Sequence, residues 1–152
     1  MFKQIIISQS SIVEGIRRTV HKGRCEIVST SPLVIYDGAH NPECAGALAD
    51  YVAKNFDGKR KVLVFSMLSD KDQYHAACIL KNVFDKFIVT HINTSRGESL
   101  VKLSELFREC TFVTPAVKAV EYAIQNAEEN DVIFVSGSLA LIEEINKGKY
   151  AD

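Results

Sequence analysis

Residues 32–43 read PLVIYDGAHNPE, and the order of these side chains decides the fold. Leu33 to Tyr36 is a short apolar run with the β-branched and aromatic content of a buried strand. Asp37 stands where that strand stops. Gly38 either lets a ligand approach the backbone or supplies φ > 0, Asn41 is a favoured helix N-cap, and Pro42 suits a first helical turn, where an N–H would have no partner. The stretch therefore predicts a strand, a tight polar loop and a helix. In open α/β sheets, loops of this kind at the carboxyl ends of strands are where ligands are held.

Working outward, further strand-like runs fall at 25–29, 61–66, 86–92, 111–113 and 131–137. Helical periodicity fills most of the gaps. Ala45, Leu48, Ala49, Val52 and Phe56 share one face of 42–56, and Ala76, Ile79, Leu80 and Val83 do the same for 72–82. Segment 99–109 carries Leu100, Leu103, Leu106 and Phe107, and 115–128 opens with Pro115 in its expected first turn. Strands alternating with helices predict a single α/β domain, a Rossmann-like three-layer arrangement with a mostly parallel sheet and helices on both faces. The runs at 25–29 and 33–36 are too close for a crossover helix, so they pair antiparallel or lie in different parts of the sheet. Ahead of them, Ser11 and Glu14 stand at capping-box spacing. Ile12, Val13, Ile16 and Val20 then form an apolar stripe that must bury against this domain or against a neighbour outside this chain.

With 18 basic and 19 acidic residues the 152-residue chain is close to neutral. No basic stripe stands out, so nucleic acid and anionic membranes are not expected partners. A small molecule or a protein neighbour fits better. Cys25, Cys44, Cys78 and Cys110 form no C-x-x-C pair and read as reduced, mostly core thiols of a cytoplasmic protein. The opening MFKQIIIS is too short in apolar residues for a signal-peptide core or a membrane span.

Four loops carry candidate chemistry. Asp37, at a strand end, is placed either to accept hydrogen bonds from a ribose diol or to make an Asx-turn. His40 sets an imidazole beside the same loop and the next helix N-terminus, a position that favours anions. Arg24, in KGRCE, is either a solvated charge or a planar fork for a purine or phosphate. In SMLSDKD the cluster Asp70, Lys71, Asp72 reads as a solvated turn or an acidic first helical turn, with Lys71 the member suited to face an anion. Ser138, in VSGSLALIEEI, reads as a helix N-cap or as a hydroxyl for a carboxylate. There is no G-x-x-x-x-G-K-[ST] loop and no G-x-G-x-x-G, and the histidines at 21, 40, 75 and 91 lack metal spacing.

Together these motifs resemble one family. KGRCEIVSTSPLVIYDGAHNPECAGALADYV is similar to the start of the C-terminal domain of folylpolyglutamate and dihydrofolate synthases, members of the Mur ligase superfamily, which share G-R-x-E, an apolar strand and D-G-A-H-N-P. VFSMLSDKD is similar to their V-F-G-M-x-x-D-K-D, VSGSLALIEEI to their closing G-S-L segment, and TSRGES falls where they carry an arginine-containing loop. The likeness runs over about residues 8 to 146. His21 and Lys22 stand where the family has Trp-Pro, and Ser66 where it has glycine.

The resemblance implies an enzyme in which an N-terminal ATPase domain holds the phosphate loop and the Mg2+ ligands while this domain closes over it. ATP phosphorylates the folate or dihydropteroate carboxylate, and the amine of L-glutamate attacks the acyl phosphate. By motif, Arg24 and Asp37 are then ATP-binding residues, with Asp37 on the ribose side. His40, Ser138 and Lys71 lie near glutamate or phosphate. Residues 1–22 become a residual helix and linker of the ATPase domain, and 23–152 the glutamate ligase domain, inactive alone. A peptidoglycan amino-acid ligase is the nearest alternative, although those enzymes more often carry tyrosine where Gly38 stands. A stand-alone binding module without chemistry is the other.

Overall fold

The computed structural model describes residues 7–19, 21–107 and 109–148. The chain opens with α1 (Gln9–Arg18), followed by β1 (Glu26–Thr30) and β2 (Leu33–Tyr36). Next come α2 (Pro42–Asn55), β3 (Arg60–Phe65), α3 (Gln73–Leu80), β4 (Lys86–Val89) and α4 (Leu100–Glu105). The run ends with β5 (Thr111–Phe112), α5 (Ala116–Gln125), β6 (Asp131–Ser136) and α6 (Leu139–Gly148). One six-stranded sheet has the order β1-β2-β6-β3-β4-β5. β1 pairs antiparallel with β2, as the short connection requires, and the other pairs are parallel.

Because side chains alternate along each strand, the sheet divides the interior into two cores. Ile35, Leu63, Phe65 and Phe134 pack under α2, α3 and α4 through Leu48, Val52, Leu80 and Leu103. On the other face Val34, Val62, Val64, Ile133 and Val135 pack under α5 and α6 through Val120, Leu141 and Ile145. Every residue of β6 is buried, which explains its continuous apolar sequence. Phe134 meets Phe56 and Phe84 edge to face at 5.4 and 5.3 Å, contacts worth about 0.5–1.5 kcal/mol each beyond their buried area.

The local signals around residue 41 act as their chemistry predicts. The Asn41 side chain accepts from the Cys44 N–H at 2.8 Å, and Pro42 starts α2. Three expectations need correction. Ser8, not Ser11, caps α1 by accepting from the Ser11 N–H at 3.1 Å, and Glu14 pairs with Arg18 at 2.7 Å instead of closing a capping box. Pro115 is the N-cap of α5, just outside its first turn. β4 stops at Val89, and Ile92 beyond it is buried in the core under α5 and α6 rather than on a strand.

α1 buries none of its residues, and Ile12, Val13 and Ile16 are 50%, 45% and 70% exposed. Val20, the fourth residue of the expected stripe, lies outside the described residues. No helix among the described residues is long and apolar enough to cross a membrane.

Candidate functional site

The loops after β2, β3, β4 and β6 open on the carboxyl edge of the sheet. Asp37 continues the β2 ladder, its N–H donating to the Val135 carbonyl at 2.9 Å. Its side chain is 7% exposed. Oδ1 accepts from the Ala39 N–H at 2.9 Å, which is the Asx-turn contact; Oδ2 accepts from the Cys25 N–H at 2.9 Å and from the Cys25 thiol at 3.5 Å. A carboxylate has about four acceptor positions, so each oxygen retains capacity for an outside donor.

A second set of contacts ties the G-R-C-E turn to the same place. The Gly38 N–H donates to the Gly23 carbonyl at 2.7 Å, and the Glu26 carboxylate accepts from the Gly23 N–H at 2.7 Å. Gly23 and Cys25 both have positive φ, 67° and 45°. Leu139, the first residue of α6, lies across both glycines: a Cβ on Gly38 would sit 2.6 Å from Leu139 Cγ. Gly38 does not take a positive φ; what it supplies is a close approach to Leu139 that a side chain would crowd.

Arg24 is exposed at this junction, and its guanidinium makes no hydrogen bond or ion pair among the described residues. His40 is half-buried with Nδ1 2.9 Å from the Gly38 carbonyl. A carbonyl only accepts, so Nδ1 is the donor in this contact, and Nε2 takes no part in it. Ser138 is buried, and its Oγ accepts from the Ala140 N–H at 3.1 Å as an N-cap of α6. Gly137 before it has φ 112° and lies against the Ser66 carbonyl, a packing that a side chain would block.

The structure thus brings Arg24, Asp37, His40 and Ser138 to neighbouring loops on β1, β2 and β6. Lys71 stands apart. Its Nζ is 3.6 Å from Asp70 Oδ2, and no contact links it to the other four. Asp70 takes its short ion pair from Arg96 at 2.6 Å, which holds its carboxyl below the usual range. Asp72 caps α3 and pairs with His75. Arg96 therefore joins the β4–α4 loop to the β3–α3 loop, where Leu68 also bridges Gly97.

Cys25 corrects the view of the cysteines as core thiols, since all four are free and only half-buried. Burial, with the Asp37 carboxylate second, pushes its thiol up to about 12. Beside it a groove of about 450 Å3 runs along Lys22, Gly23, Leu139 and Ile142. Ser66, Thr90 and Ser136, at the carboxyl ends of β3, β4 and β6, have buried hydroxyls without a hydrogen-bond partner among the described residues. No group of three or more His, Cys, Asp or Glu side chains is gathered for a metal ion among the described residues.

Residues 23–139, from the G-R-C-E turn to Leu139, match the family described as "Mur ligase, glutamate ligase domain". The chain belongs to the Mur ligase family. Relatives of this Mur ligase domain include a probable bifunctional folylpolyglutamate synthase/dihydropteroate synthase of Halobacterium salinarum, 34% identical over 91% of this chain and 17% of the relative. The dihydrofolate synthase/folylpolyglutamate synthase of Escherichia coli is 30% identical over 91% of this chain and 33% of the relative. Among solved structures, the bifunctional folylpolyglutamate synthase/dihydrofolate synthase of Yersinia pestis, crystallised with AMPPNP and a manganese ion, superposes with TM-score 0.87 at 29% identity. It covers 97% of this chain and 36% of that one. A related crystal structure of a bifunctional folylpolyglutamate synthase/dihydrofolate synthase holds Mn, AMPPNP and L-glutamate. The Mur ligase domain therefore spans about a third or less of the length of these relatives.

Proposed function

We propose that this Mur ligase domain is the C-terminal part of an ATP-dependent ligase that adds L-glutamate to folate, a folylpolyglutamate synthase with or without dihydrofolate synthase activity. The observation that carries the reading is the clustering of Arg24, Asp37, His40 and Ser138 on adjoining loops of one sheet edge, in a domain that superposes on synthases crystallised with AMPPNP and L-glutamate. In this reading the spare acceptor positions of Asp37 take the ribose hydroxyls, and exposed Arg24 takes phosphate. His40 and the α6 start at Ser138 face the carboxylates of glutamate or the transferred phosphate, since helix N-termini favour anions.

The chemistry is an acyl phosphate formed from ATP and the folate carboxylate, with ADP leaving, followed by attack of the glutamate amine and loss of phosphate. This domain contributes positioning and charge stabilisation to those steps. Mg2+ is assigned to an ATPase domain in the rest of the protein, as the resemblance to folylpolyglutamate synthases implies. The exposed stripe Ile12, Val13, Ile16 is assigned to the contact with that domain, residues 1–22 serving as its helix and linker.

The test is ADP release by the complete gene product given ATP and magnesium, with and without a reduced folate and L-glutamate. Release that needs both, with folate heavier by one glutamyl unit in mass spectrometry, is the expected result. Release only with a different acceptor keeps the family and overturns the folate branch. No release with any acceptor moves the chain to a non-catalytic binding role.

A further inference from the structure

Asp37 is almost wholly buried, and a buried carboxylate is stable only when its oxygens are satisfied. Oδ1 is served locally by the Ala39 N–H. Oδ2 depends on a residue twelve positions away, through both the N–H and the thiol of Cys25. Cys25 makes that double contact from φ 45°, a backbone conformation that a residue with a side chain holds only when its surroundings enforce it. The flanking turn is held by the Glu26 carboxylate on the Gly23 N–H and by the Gly38–Gly23 hydrogen bond. Backbone strain at a carboxylate on the rim of the candidate site calls for a purpose beyond packing.

We propose that Cys25 is a positioning residue: its thiol and main-chain N–H together fix Oδ2 of Asp37, so that the free acceptor positions of the carboxylate stay turned to the loop mouth where a ribose diol is read. What the fixed carboxylate does rests on the nucleotide reading above; the clamp itself does not. The environment supports a donor role. Burial and the facing Asp37 charge keep the thiol protonated, and exposed Arg24 acts on it in the opposite sense. A protonated thiol is a weak donor, so its loss is felt as a modest change in affinity.

Two measurements on the complete gene product decide the matter. The first is the iodoacetamide labelling rate at Cys25, read by peptide mass spectrometry with Cys44, Cys78 and Cys110 as internal references. Replacing the charge in Asp37→Asn should speed Cys25 by about tenfold or more, as expected when a thiol loses a neighbouring anion, and leave the other three unchanged. An unchanged Cys25 rate overturns the clamp. The second is an ATP-binding titration of the same protein for the wild type, Cys25→Ala, Cys25→Gly and Cys25→Ser. Loss of the thiol should weaken binding about three- to tenfold in the alanine and glycine variants, with serine within about twofold of wild type.

The glycine variant separates positioning from folding, because glycine relieves the φ strain. Its thermal midpoint should hold or rise while its affinity falls. Alanine and glycine variants that bind ATP as the wild type does overturn the proposal. A protein that shows the labelling effect but binds ATP equally well with Asp37→Asn keeps the clamp and removes the ribose reading of Asp37.

Discussion

Arg60 and Asp131, partners across the parallel β3–β6 ladder, meet through two parallel hydrogen bonds, Nε to Oδ1 at 2.7 Å and Nη2 to Oδ2 at 2.6 Å. The pair sits at the amino ends of these strands, on the rim opposite the candidate site. The Glu128 N–H adds a third donor to Asp131, and the Glu128 carboxylate takes the remaining edge of Arg60. The Asp131 side chain is 1% exposed and that of Arg60 is 37% exposed, so one partner of the staple is buried and the other is wet.

Asp131→Asn should therefore destabilise the domain by about 2 kcal/mol, less than a fully buried pair because solvent screens the Arg60 side. Denaturant unfolding at neutral pH measures it. The guanidinium of Arg60, followed by the Glu128 N–H, lowers the Asp131 carboxyl below its ordinary value. A carboxylate with a lowered folded pKa contributes stability above its unfolded pKa of about 3.9 and loses it as pH falls through the lowered value. Wild type should lose stability across that acid window, and the asparagine variant should show a flatter acid limb.

The orphan hydroxyls predict the opposite sign. Thr90→Val and Ser66→Ala remove buried groups that have no hydrogen-bond partner, at nearly unchanged volume. Each should leave stability equal or raise it by up to about 1 kcal/mol. A loss of more than that amount in denaturant unfolding would show that these hydroxyls find partners in solution.

Gly38→Ala tests the junction of the β2–α2 loop with α6. The new methyl would press on Leu139 Cγ and Cδ2, so stability should fall by about 1–3 kcal/mol. Leu139→Ala in the same chain should recover most of that loss, a coupling that a double-mutant cycle reads directly. Purely additive effects would show that the leucine moves aside without cost.

The two ends of the candidate site should separate kinetically in the complete protein. Asp37→Ala is expected to raise the KM for ATP far more than that for glutamate, and Ser138→Ala to do the reverse. Equal effects on both substrates would show the division between the loops to be wrong.

For α1, Ile12→Asp together with Ile16→Asp should change the stability of this chain by less than about 0.5 kcal/mol, because neither side chain packs on the domain. The same changes should depress ligase activity in the complete protein. Strong hydrogen-exchange protection of the Ile12 and Ile16 amides in a verified monomer would contradict the exposed helix.

What could be read in advance was whatever local chemistry determines. Asn41 and Pro42 mark the start of α2 because capping and the first helical turn involve near neighbours only, and the short step from β1 to β2 leaves room for little but an antiparallel pair. Where several residues could serve equally, the sequence misleads. Ser8, Ser10 and Ser11 are all capable caps, and Glu14 could close a box or pair with Arg18. Thr90 to Ile92 extend the strand-like run beyond β4, and nothing in that run says that Ile92 joins the core from outside the strand. The clamp of Cys25 on Asp37 and the Arg96–Asp70 link join residues far apart in the chain, so no spacing rule reaches them.

The two cores divided by the sheet have no residue in common. A cavity opened beneath α2, as by Leu48→Ala, and one opened beneath α6, as by Ile145→Ala, should add without coupling when they share no partners. Each flank can then drift in sequence on its own. The lineage of this domain is free to remodel one helical layer for new neighbours while the other, with the strands between them, keeps the rim of loops in register.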